Sequence, residues 1–276
     1  MIWLLIEGTS TIMDLTYSGF FDQRLLDTEY FRRHRDAYEK HFQDPAIKKY
    51  RCYPVIVEKL QSIYEYNPTH ARYFARRMKA QQGDLRNCEA IFSEVIVYSH
   101  YIPLVKQGIV RSLDIREDDY DLKIERTGQP DVFLEIFCIM PEFKENERGV
   151  CDSGTHTQTA FSSVRQKLLR KMQEQKQMQK ARENWAVIEL NDVSIAGEFT
   201  VLSSLSDGYK VIINRETKEV VQRGYDWNNS VFDAPETHNL HGIIHFDLGD
   251  YEGRRYILNG RIRGQVKNSD EKPVVP

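Results

Sequence analysis

Residues 118–138, DDYDLKIERTGQPDVFLEIFC, constrain the fold more than any other stretch, because they read as two strands folded back about a tight turn. The turn signal is Thr127-Gly128-Gln129-Pro130-Asp131, a cluster of residues that set turn backbone angles and break regular structure. It separates the alternating run Tyr120-Asp121-Leu122-Lys123-Ile124 from the apolar run Val132–Met140. A hairpin is the expected outcome, and an antiparallel pair within a larger sheet follows from it.

Each strand of this hairpin carries a carboxylate. Folding back about the turn brings Asp121 opposite the Glu135–Phe137 stretch. Cβ atoms of such cross-strand neighbours lie roughly 5 Å apart, close enough for two carboxylates to share one divalent cation. Glu135 interrupts an otherwise apolar strand, VFLEIFCIM. An ionised carboxylate in that setting is costly unless a cation or a donor compensates it. The simpler alternative is a strand with one wet face on which Glu135 is solvated, although Phe133 and Phe137 flank it on that face.

The chain of 276 residues can bury a substantial core as one large or two small domains. With 41% hydrophobic and 29% charged residues it has the composition of a globular protein. The N-terminal MIWLLI is too short for a signal core or a membrane span and has no basic residue before it, so a cytoplasmic protein without membrane partners is expected. Cys52, Cys88, Cys138 and Cys151 show no CxxC spacing, which favours packed thiols over disulfides or zinc ligands. The net charge of −3 is unevenly spread. Arg32-Arg33-His34-Arg35, Lys48-Lys49-Tyr50-Arg51 and Arg72-Tyr73-Phe74-Ala75-Arg76-Arg77 mix cations with aromatics in a basic stretch from Phe20 to Arg86. Such clusters suit phosphates and stacked bases, and they equally suit solvated helix faces beside an aromatic core.

Helical periodicity runs from Phe21 to Tyr66, with a start at Pro45 after Asp44, a break at Pro54 and a further helix after Pro68. Asp84 is a suitable N-cap for a long helix, 85–101, ending before Pro103 and Gly108. Glu94 sits in its interior beside the buried stripe, from where it can point at the hairpin. Strands are expected at 109–115, 120–125 and 132–140, then a charged loop over 142–157, a helix over 158–182 and a short apolar strand over 185–190. Weaker strand signals follow at 209–213, 219–222, 242–246 and 256–258. The organisation read from this order is an N-terminal helical region (1–83), an α/β domain (84–264) and a loose polar tail (265–276).

In the helix over 158–182, Phe161, Val164, Leu168 and Met172 form the buried stripe. Lys167 and Lys171 flank it, with Ser163 and Gln175 at the same four-residue spacing. Arg165, Arg170, Lys176, Lys180 and Arg182 read as its basic solvated face.

Glu94 on a helix, Asp121 and Glu135 on a hairpin, and a polar-basic helix leading into a short strand together resemble the core of the PD-(D/E)XK nuclease superfamily. The resemblance covers roughly residues 88–190. It implies a restriction endonuclease-like α/β fold, a mixed central sheet flanked by helices. It also implies metal-dependent cleavage of DNA phosphodiester bonds, with RNA as substrate and a homodimer left open. By position Asp121 matches the first acid of that family, Glu135 the second and Glu94 the helical acid. In such enzymes the two acids hold Mg²⁺ or Mn²⁺, and a lysine two residues after the second acid positions the nucleophile or stabilises charge on phosphate. The corresponding residue here is Phe137. Some members supply the lysine from the following helix, which makes Lys167 and Lys171 the candidates, with Lys123 on the first strand as a third. Other members have lost the site and bind nucleic acid or protein without cutting.

A literal match to the same signature, Pro130-Asp131 with Glu142-Phe143-Lys144, reads as a decoy. The run between its acids has no turn before Pro141, and an extended chain of that length separates them by roughly 30 Å. His238, His241 and His245 lack an accompanying acid or cysteine at ligand spacing and are expected to be satisfied strand histidines. Nucleophile elbows, phosphate-cradling glycine loops and dinucleotide-binding fingerprints are absent from the sequence.

Overall fold

The computed structural model describes residues 53–116, 118–140, 156–174, 182–192 and 195–260, together with Thr28, Phe31, Arg32 and Asp36. The chain divides into two compact units, 1–108 and 109–276.

Three helices build the described part of the first unit: α1 (Tyr53–Tyr66), α2 (Pro68–Ala80) and α3 (Leu85–Lys106). Asn67 caps α2 by accepting from the backbone N–H groups of Thr69 and His70, with Pro68 at the first helical position. Asp84 caps α3 in the same way, accepting from Arg86 and Asn87. Ile56, Leu60, Ile63, Ala71, Phe74, Met78, Phe92, Val95 and Tyr98 are buried here. Helix α3 runs through Pro103 to Lys106 rather than stopping at 101. A proline in the last turn removes one backbone bond but does not stop a helix whose apolar face continues to Tyr101 and Ile102, both buried. α3 packs on α1 and α2, so it belongs to the helical unit and not to the α/β unit with which its position in the sequence had grouped it.

The second unit is an α/β structure around a six-stranded mixed sheet in the order β1-β2-β3-β4-β7-β8. Its strands are β1 (Val110–Arg116), β2 (Tyr120–Arg126), β3 (Val132–Ile139), β4 (Glu183–Leu190), β7 (Leu240–Asp247) and β8 (Arg255–Leu258). β1, β2 and β3 pair antiparallel, β3, β4 and β7 run parallel, and β8 returns antiparallel to β7. Gly128 makes the β2–β3 turn at φ +70°, a conformation that favours glycine. α4 (His156–Glu174) joins β3 to β4, the crossover a parallel pair requires. α5 (Glu198–Leu205), which the sequence reading missed, lies between β4 and β7.

The face of the sheet under α4 and α5 holds one core of Phe137, Ile139, Val164, Leu168, Met172, Ala186, Ile188, Leu190, Val201, Leu205, Ile243 and Ile257. The opposite face carries Leu134, Ile136, Trp185, Ile244, Phe246 and Tyr256, also buried. Burial on both faces explains why β3, β4 and β7 are near-continuous apolar runs. A second, two-stranded sheet pairs β5 (Tyr209–Ile213) with β6 (Val220–Tyr225), the latter longer than the expected 219–222 because its pairing continues to Tyr209. Among the described residues no helix is long and apolar enough to cross a membrane.

The helix starting at Pro45, the Phe161, Ser163 and Gln175 side chains, the loop residues Glu142, Phe143 and Lys144, Cys52, Cys151 and the tail from 265 lie outside the described residues or side chains.

Candidate functional site

The β2–β3 register sets Leu122 against Leu134 and Lys123 against Phe133. One residue further along the same register Asp121 comes opposite Glu135. Main-chain pairing gives way there to a side-chain bond, in which Ile136 N donates to Asp121 Oδ2 at 2.7 Å. Asp121 and Glu135 thus lie on neighbouring strands at the point where β2 leaves β3.

Glu135 points to the α4 face between Phe133 and Phe137, and its side chain is 3% exposed. It is not a solvated residue on a wet face. Lys171 Nζ donates to Glu135 Oε1 at 2.7 Å. The same ammonium lies 5.5 Å from the centre of the Phe137 ring, a favourable placement of a cation over an aromatic face. Helix α4 aims this lysine by burying Val164, Leu168 and Met172. Side chains one position before each stripe residue then border the sheet. Lys167, one turn earlier, reaches the same strand and donates to Cys138 O at 2.7 Å.

The third lysine is committed elsewhere. Lys123 pairs with Glu125 at 2.7 Å and Asp131 at 3.1 Å. Glu125 also accepts from Ser112 and Arg111. The Lys123 hydrogen bond, followed by that of Ser112, holds the Glu125 carboxyl down at about 2, and the Glu125 contact in turn raises Lys123. Asp131 therefore serves an ion pair with Lys123, and β3 begins at the next residue as one unbroken strand.

Glu94 is 6% exposed. Both of its oxygens accept from Arg77, in a bidentate pair within the helical unit. Arg77 also lies 5.2 Å from the Tyr73 ring centre, so part of the basic-aromatic cluster on α2 turns inward to hold a buried acid.

The sequence reading put Arg182 on the basic solvated face of the helix over 158–182. It sits just before β4, not on a solvated helix face, and lies 4.4 Å from the Phe133 ring centre while pairing with Asp119 at 2.7 Å. With Lys123 5.9 Å from the same ring, the aromatic residues of β3 carry cations along their length. Parallel pairing puts Val132 against Glu183, so the residue before Glu183 lies near the start of β3.

Among the described residues His238, His241 and His245 do not gather with other ligand types into a metal-binding group. His241 Nδ1 accepts from Asn184 N at 3.2 Å. His245 departs from expectation, since it is buried and neither ring nitrogen has a hydrogen-bond partner among the described residues. Burial first, then nearby Arg255, pushes its pKa down to about 4. Cys88 and Cys138 are buried and form no disulfide among the described residues.

Among the described residues no three His, Cys, Asp or Glu side chains gather as a metal-binding group. Two acids on adjacent strands are a smaller donor set, and one that suits Mg²⁺, which takes one or two carboxylates and completes its octahedron with water and substrate phosphate. Asp121 and Glu135 match that requirement in residue type and lie on adjacent strands.

Comparisons with protein-family models, with curated proteins and with solved structures found no match to the chain.

Proposed function

We propose that the chain is a PD-(D/E)XK-type nuclease with a restriction endonuclease-like core, cleaving DNA phosphodiester bonds with Asp121 and Glu135 as metal ligands and Lys171 as the displaced lysine. The observation that carries this reading is the position of Lys171: its ammonium is 2.7 Å from Glu135 and lies over the ring of Phe137, the residue standing where the family has its lysine. A lysine from α4 thus occupies the region that a lysine at 137 would serve.

In this reading Asp121 and Glu135 would hold Mg²⁺ or Mn²⁺, which would supply a water of lowered pKa and polarise the phosphoryl oxygens. Asp121 is aimed by the Ile136 N–H. Lys171 exchanges its contact with Glu135 for the phosphate, where its charge offsets the negative charge that grows in the transition state. Phe133 and Phe137 form an apolar floor that strengthens these interactions by excluding water. Lys167 stays on the Cys138 carbonyl and steadies the approach of α4 to β3.

A second reading, a fold that binds nucleic acid or a protein without cutting, also has an observation behind it. The Lys171–Glu135 pair already neutralises the buried acid, so the site is electrostatically satisfied as it stands. One experiment separates the two. Purified protein and its Asp121→Ala and Lys171→Met variants are incubated with single-stranded, duplex and branched DNA in Mn²⁺. Cleavage by the parent that both variants lose supports the nuclease. Absence of cleavage, with salt-sensitive DNA binding that survives Asp121→Ala, supports binding alone. Equal cleavage by all three, or neither cleavage nor binding, sinks the nuclease reading.

A further inference from the structure

We propose that the chain forms a twofold homodimer by antiparallel pairing of β6 with β6 of a second copy. Eight large apolar side chains are exposed among the described residues. Six of them, Tyr209, Val211, Ile212, Ile213, Val220 and Val221, belong to the β5–β6 hairpin. A seventh, Phe199, packs its ring 6.3 Å from that of Tyr225 at the base of the same hairpin. Exposed apolar groups gathered in this way mark an interaction surface. The hairpin forms a sheet of its own, and neither strand pairs with a third among the described residues. An isolated two-stranded sheet is marginal in water, and each open edge presents unpaired N–H and C=O groups to another strand.

Charge selects the edge and the occupant. The one charged residue of β5, Lys210, already pairs with Asp226, so the β5 edge offers no self-complementary charges for a second copy. On the β6 side the sequence Glu219-Val220-Val221-Gln222-Arg223 is self-complementary about its middle residue. Antiparallel pairing about a twofold axis at Val221 sets Glu219 against the partner's Arg223, and Arg223 against the partner's Glu219. Neither side chain has an ion-pair partner among the described residues. Val221 itself is the most exposed of the apolar group at 67%. It has no partner on β5, because the register passes from Ile212 against Gln222 to Ile213 against Val220. On the axis it meets the partner's Val221, and the two hairpins become one four-stranded sheet. Such an isologous contact closes on itself, as most homodimer contacts do.

The surface shares no residue with the β2–β3 site, so either reading can fail without the other. Sedimentation of the full chain at concentrations up to roughly 100 µM tests it, a range that covers weak dimers of standard interfaces. A dimer is expected, with Glu219→Arg and Arg223→Glu each raising Kd by about tenfold or more. The combined charge swap should return Kd to within about threefold of the parent, since it rebuilds both cross-strand pairs. Val221→Lys, which sets two ammonium groups together on the axis, should leave monomer. A parent that is monomeric throughout, a dimer indifferent to the single reversals, or a double variant as weak as the single ones would each overturn the proposal.

Discussion

Lys171 on α4 closes a 2.7 Å ion pair on Glu135, a carboxylate 3% exposed in the middle of β3. The pair joins the crossover helix to the strand it covers, 36 residues earlier in the chain, and resolves the cost of an acid in an apolar strand.

Removing the ammonium should therefore expose that cost. Lys171→Met is expected to lower unfolding free energy by about 2–3 kcal/mol, below the full value for a buried pair because Lys171 is itself 28% exposed. Adding Glu135→Gln should recover most of the loss. Urea titrations of the parent, the single variant and the double variant measure both steps. A Lys171→Met protein as stable as the parent would mean that another group carries the compensation.

Asp121 separates a structural role from a catalytic one. Asp121→Ala leaves the Ile136 N–H without its acceptor and should cost about 1–2 kcal/mol. The Ile136 amide should then exchange faster with deuterium. Asp121→Asn keeps an oxygen for that bond and should spare both stability and exchange. If the nuclease reading holds, Asp121→Asn should still lose roughly a hundredfold or more in cleavage rate, because the charge that holds a metal is gone. Retained cleavage in this variant would remove Asp121 from the site.

His245 predicts an acid-side loss of stability. Its folded pKa of about 4 lies below the ordinary 6.5, so the unfolded chain binds the proton more readily than the folded one. The contribution is complete above about pH 6.5 and drains away as pH falls toward 4, reaching about 3 kcal/mol in all. His245→Leu should flatten that part of the profile. Melting temperatures followed from pH 7 to 4 decide it, and parallel profiles for parent and variant would show that His245 does not titrate there.

Gly242 is required by packing rather than by backbone angle. A Cβ at this position would lie 2.6 Å from Trp185 Cζ3 and 2.7 Å from the Ile257 carbonyl oxygen of neighbouring β8. Gly242→Ala should destabilise by about 1–3 kcal/mol or more, since backbone on one side and a buried indole on the other leave little room to yield. Thermal unfolding reads this directly. A neutral result would show that β7 and β8 can separate locally at no cost.

Much of the α/β unit was legible in the sequence because periodicity reports burial. The alternation in β2, the apolar run of β3, the Thr127–Asp131 turn and the stripe Val164, Leu168, Met172 each state locally which face is covered, and the structure bears them out. The N-cap Asp84 was readable for a similar reason, since a capping side chain serves the residues two and three positions further on. α5 escaped notice. It has eight residues, too few for a helical period to stand out, and its N-cap Gly197 makes no side-chain bond.

The amino-acid sequence by itself determined the hairpin, its two acids and the pair of lysines one turn apart on α4, because turn chemistry and side-chain spacing act within a few residues. Tertiary structure alone decided that Lys171 meets Glu135, that Lys167 meets the Cys138 carbonyl and that Lys123 is held by Glu125 and Asp131. It also grouped α3 with the helical unit and left His245 buried without a hydrogen-bond partner among the described residues. Lys167 and Lys171 are equivalent in residue type and in distance from the apolar stripe. What tells them apart is the height at which α4 crosses β3, and that height follows from the packing of Val164, Leu168 and Met172 on a core assembled from four strands.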